Sequence, residues 1–281
     1  VFGQASATPV DIAFLHGVDV SVNGSTPMHF GLDTGLAWDF RTSSEQAQKL
    51  GLPVVGHIVS HTSDRQNATD GMAEDIVRAQ TLTIAGHTFA EPEGLASAGA
   101  LRGSCCGTLG ITLFRDVLLT LDFPHDRLRI SDGQLPPPNG HDILAYTTYP
   151  AASFKVLRVA PTVMIQLAGQ TLPALLDTAA HKMNGDVIVP TELATKLPLG
   201  PKESETIIGD ALGHKYPSYT AKLKGDLTLG EISIHNPTVL VSDWLGFIDL
   251  AAVSNRLVLT IDQVNHRLRV TMSDVAPAAA N

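Results

Sequence analysis

Leu32-Asp33-Thr34-Gly35 and Leu176-Asp177-Thr178-Ala179 decide how this chain is read. Each tetrapeptide closes an apolar run, Phe30-Gly31-Leu32 in the first case and Ala174-Leu175-Leu176 in the second. Asp, Thr and Gly are ordinary turn formers, so one such motif says little. Two of them at matching places in two similar halves point to a device that needs two carboxyl groups face to face.

Outward from the motifs the halves keep agreeing, and a repeat is stronger than any short match. Val117-Leu118-Leu119-Thr120-Leu121-Asp122 is echoed by Leu257-Val258-Leu259-Thr260-Ile261-Asp262. Arg127-Leu128-Arg129-Ile130 and Arg267-Leu268-Arg269-Val270 follow at the same spacing. Glu45-Leu50 matches Glu192-Leu197, Leu82-Thr83-Ile84 matches Leu227-Thr228-Leu229, and Pro92 matches Pro237. Between the copies lies Gln134-Leu135-Pro136-Pro137-Pro138-Asn139-Gly140, whose prolines fix an extended backbone and remove donors. The expected organisation is an N-terminal lobe over 1–135, a Pro-rich linker over 136–152 and a C-terminal lobe over 153–281.

Most segments alternate as half-buried strands do. Val18-Asp19-Val20-Ser21-Val22 turns at Asn23-Gly24, and Val163-Met164-Ile165-Gln166-Leu167 turns at Gly169. One short helix per half is expected. The first is capped by Ser43 with Gln46 three residues on; the second, Thr191–Leu197, follows Pro190. The fold class is all-β and two-lobed, with few short helices.

Composition removes several functions. With 28 acidic against 19 basic residues and no Lys/Arg cluster, the chain lacks the cationic footprint that nucleic acid requires. Apolar stretches such as Val117–Leu121 fall far short of the roughly 20 residues a membrane helix needs. The two cysteines, Cys105 and Cys106, are neighbours, so no long-range disulfide can staple the fold. Cysteine usage leaves the compartment open. The opening Val1-Phe2-Gly3-Gln4-Ala5 is compatible with the remnant of a cleaved signal peptide and hence with a periplasmic or secreted protein.

Two carboxyl groups a few ångströms apart cannot both ionise; they share a proton, and one can act as base while the other donates. Asp33 and Asp177 are the candidates for that pair. Thr34 and Thr178 offer hydroxyls that can tie two loops across an interface. Gly35 permits close backbone approach or positive φ.

These residues resemble the pepsin/retropepsin superfamily of aspartic peptidases, in a single-chain, two-lobed form of bacterial type. Leu32-Asp33-Thr34-Gly35, Lys49-Leu50-Gly51-Leu52 and Gly107-Thr108-Leu109-Gly110 carry the likeness. The resemblance implies a cleft between the lobes and an extended peptide or protein substrate beneath a β-hairpin flap at about Ile58–Ile76. It implies no metal and no organic cofactor, and a monomer suffices because one chain supplies both halves. Trp38, Asp70, Gly71 and Tyr216 are candidate substrate contacts. The family's flap tyrosine is absent, and Gly209–Tyr216 offers a second covering segment.

The second half departs from the pattern. Ala179 replaces the motif glycine. Phe247-Ile248-Asp249 stands where two apolar residues and Gly are expected, which would bring Asp249 near the pair and into substrate contact. An insertion, His181–Asp186, lengthens the loop after the motif. These departures sustain an alternative, a catalytically inactive relative that binds peptides or a protein partner through the same cleft. His57, His61 and Asp64 have metal-like spacing but fall on an expected hairpin. Asn67-Ala68-Thr69 matches a glycosylation sequon, a pattern common by chance. Asp122 and Asp262 end strands and read as structural hydrogen-bond acceptors.

Overall fold

Alternating burial turns the sequence into strands: Val18, Val20 and Val22 point inward while Asp19 faces solvent. The computed structural model describes residues 9–60, 72–98, 106–148, 160–178, 183–209, 214–250 and 256–272. Strands dominate throughout, in three sheets.

The six-stranded sheet draws on both halves, in the order Val10–Ile12, Arg127–Ser131, Leu118–Asp122, Leu257–Asp262, Arg267–Met272, Ile143–Ala145. At its centre the two copies of the repeated hexapeptide lie antiparallel, with Thr120 opposite Thr260, Leu119 opposite Ile261 and Leu121 opposite Leu259. That register maps each strand onto the other, as a twofold axis through the threonine pair demands. The two hydroxyls are 3.0 Å apart. Ile143–Ala145, from the Pro-rich stretch between the halves, pairs at one edge of this sheet.

Each half then builds its own sheet. The first runs Val54–Ser60, Met72–Arg78, Glu93–Ser97, Phe40–Ser43, Gly107–Gly110, Met28–Asp33, Val18–Val22, Thr81–Ile84, His87–Ala90. The second runs Leu199–Gly209, Lys215–Leu223, Thr238–Val241, Val187–Val189, Ile248–Asp249, Gln170–Leu175, Pro161–Leu167, Asp226–Leu229, Ile232–His235. Position by position the order is the same. Turns repeat too: left-handed backbone occurs at Asn23 and Ala168, Ala85 and Gly230, Glu91 and Asn236, Asp126 and His266. One apolar core joins the halves through the shared sheet, from Phe30, Phe40 and Leu109 through Leu119 and Leu121 to Leu259 and Ile261.

The first helix is Ser44–Lys49, and the Ser43 hydroxyl accepts the Gln46 N–H at 3.0 Å. The second is shorter than the sequence suggests: one α-turn over Thr191–Ala194, continued by tight turns to Leu197. Pro198 follows and prevents extension. Asp122 and Asp262 take the structural role expected. Asp122 accepts from the His125 N–H at 3.1 Å, and Asp262 accepts from Asn265 and Leu135 N–H groups at 3.1 and 2.9 Å.

Candidate active site

The strand Met28–Asp33 runs parallel to Gly107–Gly110, with Leu32 opposite Leu109 and Asp33 opposite Gly110. A Cβ at Gly110 would stand 1.8 Å from the Trp38 carbonyl oxygen, so only glycine lets the loop after Asp33 fold back there. In the second half Gln170–Leu175 runs parallel to Ile248–Asp249 and delivers Asp177 two residues beyond its end.

Thr34 and Thr178 are buried and exchange bonds across the lobes. The Thr34 N–H donates to Thr178 Oγ1 and the Thr178 N–H donates to Thr34 Oγ1, both at 3.0 Å. The Thr34 hydroxyl also donates to the Leu176 carbonyl at 2.7 Å. Gly35 is set by close approach, because its φ is not left-handed. A Cβ there would meet Asp177 Oδ2 at 2.7 Å and Cγ at 2.8 Å.

The Asp33 and Asp177 carboxyls both lie against Gly35, Asp33 Oδ1 2.7 Å from its N and Asp177 Oδ2 2.7 Å from the place of a Cβ. Two carboxyl groups brought that close disfavour each other's ionisation. The Asp33 pKa is pushed up from 3.8 to about 8 by loss of hydration first, then by the Asp177 charge and a hydrogen bond to it. Asp33 is partly exposed as a whole residue, whereas Asp177 is buried. The Gly35 N–H, donating to Asp33 Oδ1 at 2.7 Å, and the Arg41 cation oppose the rise.

Other sequence candidates lie elsewhere. Trp38 is half-buried, with its carbonyl against Gly110. Tyr216 is turned inward at 4% exposure, packed with Ile188, Ile208, Leu240, Met183 and Trp244. Asp70, Gly71 and Ala179 lie outside the described residues, as do His61, Asp64, the Asn67 sequon and Cys105. The expected hairpin is formed by Val54–Ser60 and Met72–Arg78.

Asp249 needs a corrected alignment. It sits opposite Leu175, whose counterpart is Gly31, and Gly31 faces Thr108. Asp249 is therefore the partner of Thr108 and Leu250 that of Leu109; Leu250 N–H donates to the Leu175 carbonyl at 2.8 Å. Phe247 and Ile248 imitate the apolar pair in sequence, two positions too early. Asp249 is fully buried between two strands rather than lining open cleft.

Sequence reading missed three buried carboxylates, Glu74 and the matched pair Asp39 and Asp186. Asp39 Oδ2 accepts the Glu93 N–H at 2.9 Å, and Asp186 Oδ2 accepts the Thr238 N–H at 2.8 Å. Each also holds an arginine, Arg115 and Arg256 respectively. The signal was present: both lie just before matched strands, in Trp38-Asp39-Phe40 and Gly185-Asp186-Val187.

Among the described residues, no group of three or more His, Cys, Asp and Glu side chains could hold a metal ion. His57 instead bonds Asp75 at 2.7 Å on the hairpin. No helix among them is long and apolar enough to cross a membrane. No curated protein matches the chain. A family model described as aspartyl protease matches residues 163–263, the stretch holding Asp177, Thr178 and Asp249, and over that stretch this chain is similar to aspartyl proteases.

Proposed function

We propose that this protein is an aspartic endopeptidase whose catalytic pair is Asp33 and Asp177. The observation that carries the reading is the meeting of the two motif loops at Gly35, whose N–H holds Asp33 Oδ1 at 2.7 Å while a Cβ there would lie 2.7 Å from Asp177 Oδ2. Water placed between them loses a proton to the ionised carboxylate as its oxygen attacks the peptide carbonyl. The protonated partner gives its proton to the carbonyl oxygen. Collapse of the tetrahedral species then breaks the C–N bond, and the nitrogen takes up a proton. Thr34 and Thr178 fix the distance between the acids, and Gly35 allows it to be short.

An extended peptide suits a cleft flanked by two hairpins at equivalent places, Val54–Ser60 with Met72–Arg78 and Leu199–Gly209 with Lys215–Leu223. One chain supplies both acids, so a monomer can act.

The test is cleavage of a diverse peptide library from pH 3 to 8, by the native protein and by Asp33→Asn and Asp177→Asn variants. Native cleavage that falls by several orders of magnitude in both variants is expected. Tight binding of peptides or of a statine-type inhibitor with no products at any pH would replace hydrolysis by a binding role. Near-normal cleavage by either variant would remove the pair from the mechanism.

A further inference from the structure

A cavity of about 410 Å³ opens against the edge strand His87–Ala90, and none of its lining residues belongs to the Asp-Thr motifs or to either hairpin. Pockets that hold small molecules run from roughly 300 to 1,000 Å³. His87 and Phe89 stand two apart on the strand, so their side chains share a face, and together they form one wall. Their ring centroids are 4.7 Å apart, and Phe89 packs edge-on against buried Phe114 at 5.6 Å. The wall is aromatic, half-buried and braced from behind.

Charges of both signs line the rest. Buried Asp39 accepts from the Glu93 N–H at 2.9 Å and from Arg115 Nη2. A guanidinium has five N–H donors, and those on Arg115 Nε and Nη1 meet no acceptor among the described residues. Asp116 follows directly, exposed, and its carboxylate makes no hydrogen bond or ion pair among the described residues. Asp132 adds a third acid to the lining. The second half differs at the matched places. Ile232 and Ile234 stand for His87 and Phe89, and both are buried. Arg256 stands for Asp116 and holds Asp186 at 2.9 Å. The fold therefore requires neither the aromatic wall nor an unpaired acid there.

We propose that this cavity is a binding site for a small zwitterion, a free amino acid or a short peptide with an apolar side chain. Its carboxylate takes the open donors of Arg115, its ammonium pairs with Asp116, and its side chain lies against Phe89 and His87. A simple anion would face Asp39, Asp116 and Asp132, and a simple cation would face Arg115. A ligand with both charges meets each with a charge-assisted hydrogen bond. An aromatic or aliphatic side chain covers ring surface that is otherwise left to water. No group of the acid pair enters this site, so it does not depend on the peptidase reading.

The experiment titrates the full chain carrying Asp33→Asn, in which no peptide is cut, by calorimetry. The probes are phenylalanine and leucyl-phenylalanine, each free, N-acetylated and C-amidated. Saturable one-to-one binding of a free zwitterion is expected, weakened about tenfold or more by either block. The tighter of the two free probes identifies the source, amino acid or peptide. Arg115→Gln should remove the preference for carboxylate over amide, and Asp116→Asn the preference for ammonium over acetyl. Ala90→Trp, which fills the cavity from the exposed edge strand, should abolish binding. If Arg115→Gln does not fold because Asp39 loses its cation, Asp116→Asn decides alone, since that carboxylate has no partner to lose. No saturable binding of either zwitterion, or equal binding of free and blocked forms, overturns the proposal. Preferences unmoved by Asp116→Asn overturn it too, and would place the ligand elsewhere, the cleft included.

Discussion

Gly35 and Asp177 touch across the two halves of the molecule: a methyl group on Gly35 would lie 2.7 Å from one Asp177 oxygen and 3.0 Å from the other. No Cβ sits that close to a carboxylate, so Gly35→Ala must displace Asp177 or the Thr34 loop. The loop is poorly able to move, since Thr34 and Thr178 clasp each other. We expect Gly35→Ala to lower kcat/KM about 100-fold or more, because roughly 1 Å of misplacement costs that much. The stability loss should be about 1–3 kcal/mol. Full activity in a folded Gly35→Ala protein would mean that the acids need not be this close.

The shared proton has a thermodynamic signature. Folding raises the Asp33 pKa from 3.8 to about 8. Its contribution to stability is therefore fully present below the unfolded value and is lost as pH rises toward the folded one. Asn at this position has no such dependence. The Tm of Asp33→Asn relative to the native chain should climb in favour of Asn between about pH 4 and 8 and level off above. A constant gap over that interval would show that Asp33 titrates as an ordinary acid.

The same proton governs turnover. Hydrolysis needs one acid protonated, so kcat/KM should fall as pH rises through about 8 and hold up near neutrality. A pH–rate profile on one peptide checks this. An enzyme active only in strong acid would contradict the environment of Asp33.

Two matched Asp-Thr motifs and a repeated hexapeptide made the two-lobed, all-β fold legible, because both record a pattern of burial. Chemistry within the core was less readable. Asp39 and Asp186 are charged residues in apolar surroundings, and only the strand register reveals the N–H groups and arginines that hold them there. The left-handed turns at Glu91 and Asn236 share a backbone shape without sharing a residue, so no alignment displays them. Asp249 lies two positions from the glycine place it takes in sequence, because Phe247-Ile248 looks like the buried apolar pair. The aromatic character of Tyr216 suits a place over the cleft, yet that ring completes an apolar cluster.

The threonine clasp should be worth more as a unit than as two parts. Thr34→Val removes the acceptor for Thr178 N–H and the donor to Leu176; Thr178→Val removes the acceptor for Thr34 N–H. Each leaves a buried N–H without its partner, at a cost of about 1–3 kcal/mol. Urea unfolding of both single variants and the double should give a coupling energy of about 0.5–3 kcal/mol. Strict additivity would indicate that the loops are held by something other than these reciprocal bonds.

Asp39 and Asp186 make the sharpest test of the approximate twofold, since each ties the strand after a motif loop to the neighbouring strand in its own sheet. In each, one oxygen accepts a backbone N–H and the other holds an arginine; the arginine side chains are half exposed, 54% for Arg115 and 43% for Arg256. Solvent screens those ion pairs, so most of the cost of truncation should come from the abandoned N–H group. Asp39→Ala and Asp186→Ala should therefore destabilise by similar amounts, about 1–3 kcal/mol each, with little dependence on salt. Asp→Asn, which keeps an acceptor oxygen, should recover much of the loss at either site.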